Sequence, residues 1–414
     1  MNKKLILLVV LILFSLPCFS DSIFSGIGLL EENFGSDTFS SGMGETGIAS
    51  IFRKNFSTAN PALIATVQNV SFSTSLILGY NYIHDEADRT ATRSLGYFPY
   101  FNLIVPVSQN DFLGLKFSEK LSSGLESSEE YNIPDIGLVN GYDEIKGSLS
   151  LLGFTYARSI KDVLVGGSIN YYFGNEDEEL EIMFQPSLLD GYSEIREKQY
   201  HGINFSLGTA IPFGNFSFGG FYSHKINMEL NEDYTITYPD NPEFNFKESE
   251  EMDIDFPGEI GIGIGFQPND LFYFEGNYRY TFWESSEYSE SANWRTDAWF
   301  ASLGASYIPE HGTRMIPLRV GAYYKKLPCK INGSFIDEKA VSFGCDVPVK
   351  GGNIGLALAW GTRGDRDKHG GNDEFLKLSI GFSSIDRWRN PQKFKKDKEI
   401  PELDPKYKKF WEAQ

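Results

Sequence analysis

Val70-Ser71-Phe72-Ser73-Thr74-Ser75-Leu76-Ile77-Leu78-Gly79-Tyr80-Asn81-Tyr82 alternates in character at every step. One set of positions is almost wholly apolar, and the other is mostly serine, glycine and asparagine. A period of two belongs to a β-strand, whose successive side chains point to opposite faces. Faces this unlike separate two different solvents, and lipid is a candidate for one of them. The pattern recurs as far as Trp388. In Leu271-Phe272-Tyr273-Phe274-Glu275-Gly276-Asn277-Tyr278-Arg279-Tyr280-Thr281-Phe282 the even positions are aromatic or glycine, while Glu275, Asn277 and Arg279 share the other face. Ile260, Ile262 and Ile264 alternate with Gly261, Gly263 and Gly265, and Leu376, Leu378, Ile380 and Phe382 with Lys377, Ser379, Gly381 and Ser383. The stretch Leu149 to Ala157 is apolar on both faces and has no assignable facing.

A secretory leader precedes the alternation. Lys3 and Lys4 are followed by an apolar run from Leu5 to Leu16, and Cys18-Phe19-Ser20 ahead of Asp21 supplies a small-x-small cleavage site, so residues 1–20 read as a removed signal peptide. Pro17 stands where a lipidation signal wants a small residue, which argues against a lipid anchor on Cys18. No later apolar run is long enough for a spanning helix. Forty-one glycines, 34 phenylalanines and 22 tyrosines suit a membrane barrel, where aromatics form girdles and glycine leaves room inside. A formal charge of −19 excludes nucleic acid, whose phosphates need a basic surface.

The alternating segments fall near 69–82, 94–106, 111–121, 146–158, 162–173, 201–212, 215–227, 257–267, 271–283, 297–308, 317–327, 340–349, 353–363 and 374–386. That makes about fourteen, an even number as bacterial outer-membrane barrels have. The gaps give an independent check, since such barrels alternate short periplasmic turns with long external loops. Short turns fall at 108–110, 159–161, 213–214, 267–270, 309–316 and 350–352; polar gaps at 83–93, 122–145, 174–200, 228–256, 284–296, 328–339 and 364–373 lie between them. The fold class is therefore all-β, a transmembrane antiparallel barrel, with both termini expected in the periplasm. A cation facing mid-bilayer costs about 2 to 4 kcal/mol, so Arg279, Arg319, Lys325 and Lys377 must point inwards. Tyr82, Trp283, Trp299, Tyr324 and Trp360 lie near strand ends, as girdle residues do.

Residues 21–67 carry no sustained alternation and are too apolar for a disordered tail. They contain Gly42-Met43-Gly44, Gly47-Ile48-Ala49 and Asn60-Pro61-Ala62. With about fourteen strands behind it, this order resembles the FadL family of outer-membrane long-chain fatty acid and hydrophobic compound transporters. The ending from Trp360-Gly361-Thr362-Arg363-Gly364 through Phe375 to Trp388 is similar to the last hairpin of that family. With the signal peptide at 1–20, the resemblance implies an N-terminal hatch inside the lumen (21–67) and a barrel (68–388), which leaves 389–414 as a periplasmic tail. It also implies passive passage of a hydrophobic ligand, with a kink in the third strand opening the wall. Gly114 is the matching kink candidate, although a strand glycine equally serves as a space-maker. The basic, aromatic run Phe52-Arg53-Lys54-Asn55-Phe56-Ser57 departs from the family, as does the tail.

By the alternation, Phe98, Tyr100, Tyr172, Phe221, Tyr273, Phe300 and Tyr323 face the lumen with the four cations. Two readings stay open. The aromatics suit an acyl tail and the cations its carboxylate, or the aromatics pack the hatch and the cations pair with Glu275 and Asp346. Catalytic signals are weak. Five scattered histidines lack zinc spacing, Gly-x-Ser-x-Gly is absent, and Ser223 and His224, being adjacent, point to opposite sides of a strand. No enzyme, metal or cofactor is expected. The expected partners are outer-membrane lipids and lipopolysaccharide, a hydrophobic small-molecule ligand, and the barrel-assembly machinery during biogenesis, with the chain a monomer. The acidic gaps, such as Glu176 to Glu181, suit bridging cations or simply a solvated surface. Cys329 and Cys345 look out of register for a disulfide. The alternative function is a structural or secretion-associated barrel of the same fold.

Overall fold

The computed structural model describes residues 22–25, 31–32, 37–53, 57–133, 137–185, 191–286, 295–309, 316–349 and 352–386. The expected leader and tail lie outside them. Fourteen antiparallel strands form a closed barrel. They are β1 (Val70–Asp85), β2 (Thr90–Pro106), β3 (Asp111–Ile133), β4 (Gly137–Ile160), β5 (Val163–Gln185) and β6 (Tyr192–Phe213). Next come β7, interrupted between Phe216–Ser223 and Ile226–Thr237, and β8, interrupted between Phe246–Phe256 and Glu259–Asn269. The rest are β9 (Phe272–Thr281), β10 (Ala298–Tyr307), β11 (Leu318–Ile331), β12 (Ser334–Val349), β13 (Gly352–Asp365) and β14 (Gly371–Asp386). Each strand pairs with its sequence neighbours, and β14 closes on β1 in unbroken register from Gly371 opposite Asp85 to Asp386 opposite Val70.

The facing follows the sequence. Ser71, Ser73 and Ser75 are buried on the inner face of β1, whereas Leu78, Tyr80 and Tyr82 are exposed outside. On β8, Ile260, Ile262 and Ile264 stand outward beside buried Gly261, Gly263 and Gly265. Tyr278, Trp299 and Tyr324 stack across β9, β10 and β11 on the outside, with ring centroids 6.2 and 5.2 Å apart. Trp360 is also outward. The unassigned stretch of β4 resolves simply: Leu152, Phe154 and Tyr156 face out, while Leu149, Leu151 and Ala157 pack against apolar groups in the lumen.

Three expectations need correction. The gaps at 122–145, 174–200 and 228–256 are largely strand, not loop: β3 to β6 run 23, 24, 23 and 22 residues. Only about 9–11 residues are needed to cross the hydrocarbon core. The excess alternates among polar residues because both of its faces meet water, so it carries no greasy stripe. Trp283 is no girdle residue. It sits in a 3-10 turn, Trp283–Ser285, buried within an apolar cluster in the lumen with Arg295 5.2 Å over its ring. Gly114 is not a kink either: it stays in register with Ile104 of β2 and Thr155 of β4.

The wall is irregular further along β3. Pairing of β2 with β3 stops at Tyr100 opposite Ser118. The β3–β4 register then slips between Glu119 and Leu121, leaving Lys120 in a bulge. Beyond it β4 is the only barrel strand that pairs with β3 among the described residues, and the remainder of β2 pairs only with β1. The barrel therefore has a parted seam. Pro99, which has no N–H to give, sits where β2 leaves its partner.

Outward side chains set the stability in lipid. Replacing Ile262 or Leu303, 64% and 71% exposed on the outer face, by arginine should lower unfolding stability in bilayers by about 2 to 4 kcal/mol. Ser302→Arg, on the inner face, tests instead whether the lumen has room. Denaturant titration in lipid vesicles measures each.

Candidate functional site

The described parts of the N-terminal segment contact the lumen wall at both ends of the barrel and between them. Ser22 donates to Asp373 of β14, and Phe24 packs edge-on to His369 of a short helix, α2 (Arg366–His369), that joins β13 to β14. These residues lie at the end bounded by the long hairpins. Val70 and Asp386 mark the opposite, short-turn end. Between them Glu31–Glu32 forms a two-residue antiparallel pairing with Leu121 and Ser122, on the edge of β3 that β2 has left. Ser22 is thus at the other end of the barrel from Asp386, and the expected tail lies outside the described residues.

Residues 37–53 and 57–67 fill the short-turn half. Asp37 caps α1 (Thr38–Ser41), accepting from the Phe39 and Ser40 amides at 2.9 and 3.1 Å. It also takes Arg53 at 2.5 Å. The Asn-Pro-Ala triplet is a second cap. The Asn60 side chain accepts from the Ala62 amide at 3.0 Å, and Pro61 opens the 3-10 helix Pro61–Thr66, where its missing N–H costs nothing. The Asn60 amide also donates to the Ile48 carbonyl and to the Thr209 carbonyl on β6, at 3.0 and 2.9 Å.

Glycines on the inner wall let backbone approach backbone. A Cβ on Gly42 would lie 3.0 Å from Cα of Gly344. One on Gly321 would overlap Met43 and Gly44 outright, and Gly44 itself holds φ +69, which favours glycine. Gly208 and Gly219 make equal room for Asn60 and for the Ile48 carbonyl. Gly114 is a seat too, its missing Cβ lying 3.3 Å from Ile64. Wall side chains satisfy the segment's backbone: Ser342 accepts from the Gly44 amide at 2.9 Å, Glu275 accepts from the Ala49 amide at 2.9 Å, and Ser217 donates to the Ala49 carbonyl at 2.6 Å.

Midway along the lumen is a cavity of about 120 Å³ beside the seam. One side is apolar, with Leu121, Leu149, Leu151, Tyr172, Ile226, Phe256 and Trp283. The other is charged, with Lys116, Lys120, Arg279, Lys325, Glu32, Glu45 and Glu259. Lys120 binds Glu32 at 2.9 Å and Glu259 at 3.1 Å. Arg279 lies 3.5 Å from Glu259 and 3.9 Å from Glu32, and Lys325 lies 3.6 Å from Glu32. Burial would push the Glu32 carboxyl up, but Lys120, Lys325 and Arg279 outweigh it and hold the group well below the usual carboxylate range. A second cavity of about 430 Å³ at the short-turn end is lined by Asp37, Arg53, Tyr100 and Asp346 among others.

Six of the seven expected lumen aromatics lie on the inner face but do not converge; Phe98 does not, because the β1–β2 register slips between Ser75 and Ile77 and turns Tyr97 inward instead, leaving Phe98 beside Phe117 on the outer face. Tyr172 and Phe221 line the mid-lumen cavity. Phe300 sits below Arg279, 4.4 Å from its guanidinium. Tyr323 and Lys377 line a smaller space with Glu338 and Arg363. Tyr273 packs with Phe39 and Met43, Tyr100 faces the short-turn cavity, and Phe98 lies 6.0 Å from Phe117. Of the cations, Arg279 and Lys325 meet at the cavity. Arg319 is engaged elsewhere, bidentate to Asp346 at 2.7 and 3.2 Å and 4.6 Å over Phe39. Glu275, expected to pair with a cation, instead holds the N-terminal segment. Sequence reasoning missed Glu32, Lys120 and Glu259. Lys120 hides behind the bulge, which breaks the parity of β3, and Glu32 lies where there is no period to read. Cys329 and Cys345 are free.

A closed, lumen-filled barrel of fourteen strands with a parted seam defines a FadL-like membrane barrel. Its solved neighbours fit. A FadL homologue from Pseudomonas aeruginosa matches with a TM-score of 0.64 at 12% identity, over 86% of this chain and 99% of that one. The CymD monoaromatic hydrocarbon channel matches at 0.59 and the P. putida toluene transporter TodX at 0.58, each 16% identical over 86% of this chain and 99% of theirs. These likenesses establish the fold. The BamG family model matches residues 1–395, and the chain belongs to the BamG family. No curated protein matches it.

The glycine seats make a direct forecast. Gly321→Ala should dislodge Met43–Gly44, raising single-channel conductance in planar bilayers and protease cleavage near residue 44. Gly276→Ala, whose added methyl would meet only the tip of Leu303 at 3.0 Å on the outer face, should leave both readouts at the wild-type level.

Proposed function

We propose that this chain is an outer-membrane conduit for passive, diffusion-driven uptake of hydrophobic or amphipathic small molecules, with residues 21–67 as its hatch. The carrying observation is the seam between β2 and β3, where ladder pairing is lost beside a half-apolar, half-charged cavity while described parts of the N-terminal segment pack against the lumen wall beyond it. A filled lumen suits a solute that leaves through the wall, and a parted wall is of use only to one soluble in lipid. Long hairpins face outward and short turns the periplasm in barrels of this kind, which puts Asp386 on the periplasmic side. The named neighbours, a FadL homologue and hydrocarbon channels, support this class of solute. Long-chain fatty acids are the specific ligand we infer, with Arg279 and Lys325 beside Tyr172 and Phe221 at the site. The partners are the surrounding lipids and lipopolysaccharide, and the protein acts as a monomer with no catalytic step.

A second reading has its own support. A structural or secretion-associated barrel has no need of an open path, and the close glycine contacts around Gly42–Gly44 narrow the lumen there. The family designation BamG points toward the barrel-assembly machinery. Copurification of other membrane proteins at fixed stoichiometry, with no retained lipid, favours that reading.

Native mass spectrometry of the detergent-extracted protein should find a retained acyl or hydrocarbon ligand. Deleting Lys120 removes the bulge and lets β3 run straight. It should cut uptake of a neutral hydrocarbon by about tenfold or more, while Lys120→Ala, which keeps the bulge, should leave that uptake within about twofold of wild type. Equal uptake in the deletion and the wild type would remove the seam from the mechanism.

A further inference from the structure

The cations of the mid-lumen cavity already hold a carboxylate, and it is the chain's own. Lys120 of β3, Arg279 of β9 and Lys325 of β11 converge on Glu32 from three strands. Glu259 is the second carboxylate of the cluster and serves Lys120 and Arg279. We propose that Lys120, Arg279 and Lys325 form the binding site for the carboxylate of a long-chain acid, and that Glu32 is an internal competitor which the ligand must displace. The proposal rests on the conduit reading and adds the means by which acids are told from neutral compounds.

Three observations carry it. Charge is the first. Exchanging one carboxylate for another leaves the ion count of the cavity unchanged, whereas a neutral molecule that expelled Glu32 would take a carboxylate from three cations at once, at a desolvation cost of several kcal/mol. Size is the second. A cavity of about 120 Å³ is well below the roughly 300–1,000 Å³ typical of small-molecule sites, so the space for an acyl chain has to be made by something leaving. The third is the weakness of the attachment. Glu32 is carried on a pairing of only two residues, Glu31 with Ser122 and Glu32 with Leu121, at the seam edge of β3. A hydrogen bond contributes about 0.5–1.5 kcal/mol net, so the backbone part of this attachment is cheap to detach and the rest is ionic and exchangeable. Detachment uncovers the cations and frees the edge of the seam together. Apolar side chains from Leu149 to Trp283 stand ready for the tail.

The test uses full-length protein in detergent, titrated calorimetrically with hexadecanoate and with hexadecanol, a matched neutral chain. Glu32→Gln should bind hexadecanoate about tenfold or more tighter than wild type, and wild type should bind hexadecanoate about tenfold or more tighter than hexadecanol. Equal affinity of the two proteins for the acid overturns the competitor role, and equal affinity of wild type for acid and alcohol overturns the carboxylate site. A second variant guards against misfolding: Glu31→Cys with Ser122→Cys, cross-linked in the wild-type Glu32 background, should exclude hexadecanoate until reductant is added. Undiminished acid binding in the cross-linked protein also overturns the proposal. Binding of hexadecanol without the acid effects sinks this site alone, and binding of neither chain to any variant sinks the conduit with it.

Discussion

Inside a bilayer every backbone N–H and C=O must find a partner in the protein, because lipid offers none. Most of this barrel meets that demand by closure, with β14 zipped to β1 over its whole length. One place does not. Where β2 and β3 part, a length of strand edge is left open, and part of it is met by Glu31–Glu32. The N-terminal segment is therefore part of the wall's hydrogen bonding as well as its filling, and its position at the seam joins the state of the lumen to the state of the wall.

The filling is held in two different ways. At the short-turn end the fit is one of shape, backbone lying on backbone where the wall offers glycine, with Asn60 and Glu275 supplying the polar contacts. Midway the hold is electrostatic and rests on one side chain, Glu32, among three cations. Shape complementarity of the first kind is lost if displaced, whereas an ionic contact exchanges with any group of like charge. The lower half reads as an anchored stopper and the upper half as its movable part.

The sequence was legible wherever two solvents met across one strand. Val70 to Tyr82 and Leu271 to Phe282 could be faced residue by residue because lipid lay on one side and a polar lumen on the other. Legibility failed where that contrast vanished. Leu149 and Leu151 are apolar inward because they pack on Tyr172 and Trp283, and the outer reaches of β3 to β8 are polar on both faces because both are wet. Trp283 sat at a strand end like a girdle residue, yet turned inward at a 3-10 turn. The site divided in the same way. Arg279 and Lys325 could be placed by parity, Lys120 could not because a bulge shifts it, and Glu32 belongs to a segment whose contacts are all long-range.

The long hairpins have a bearing on what reaches the seam. β3 borders it on one side with a strand of 23 residues, and the projecting parts of β3 to β8 carry Glu129, Glu130, Glu178, Glu181, Glu197, Glu250 and Glu251. A palisade of this sign depletes dissolved anions near its surface and leaves uncharged or membrane-borne molecules undisturbed. Near such a surface a carboxylate ion is scarcer than its protonated form, a screening by phase and protonation state that acts before any contact with the lumen.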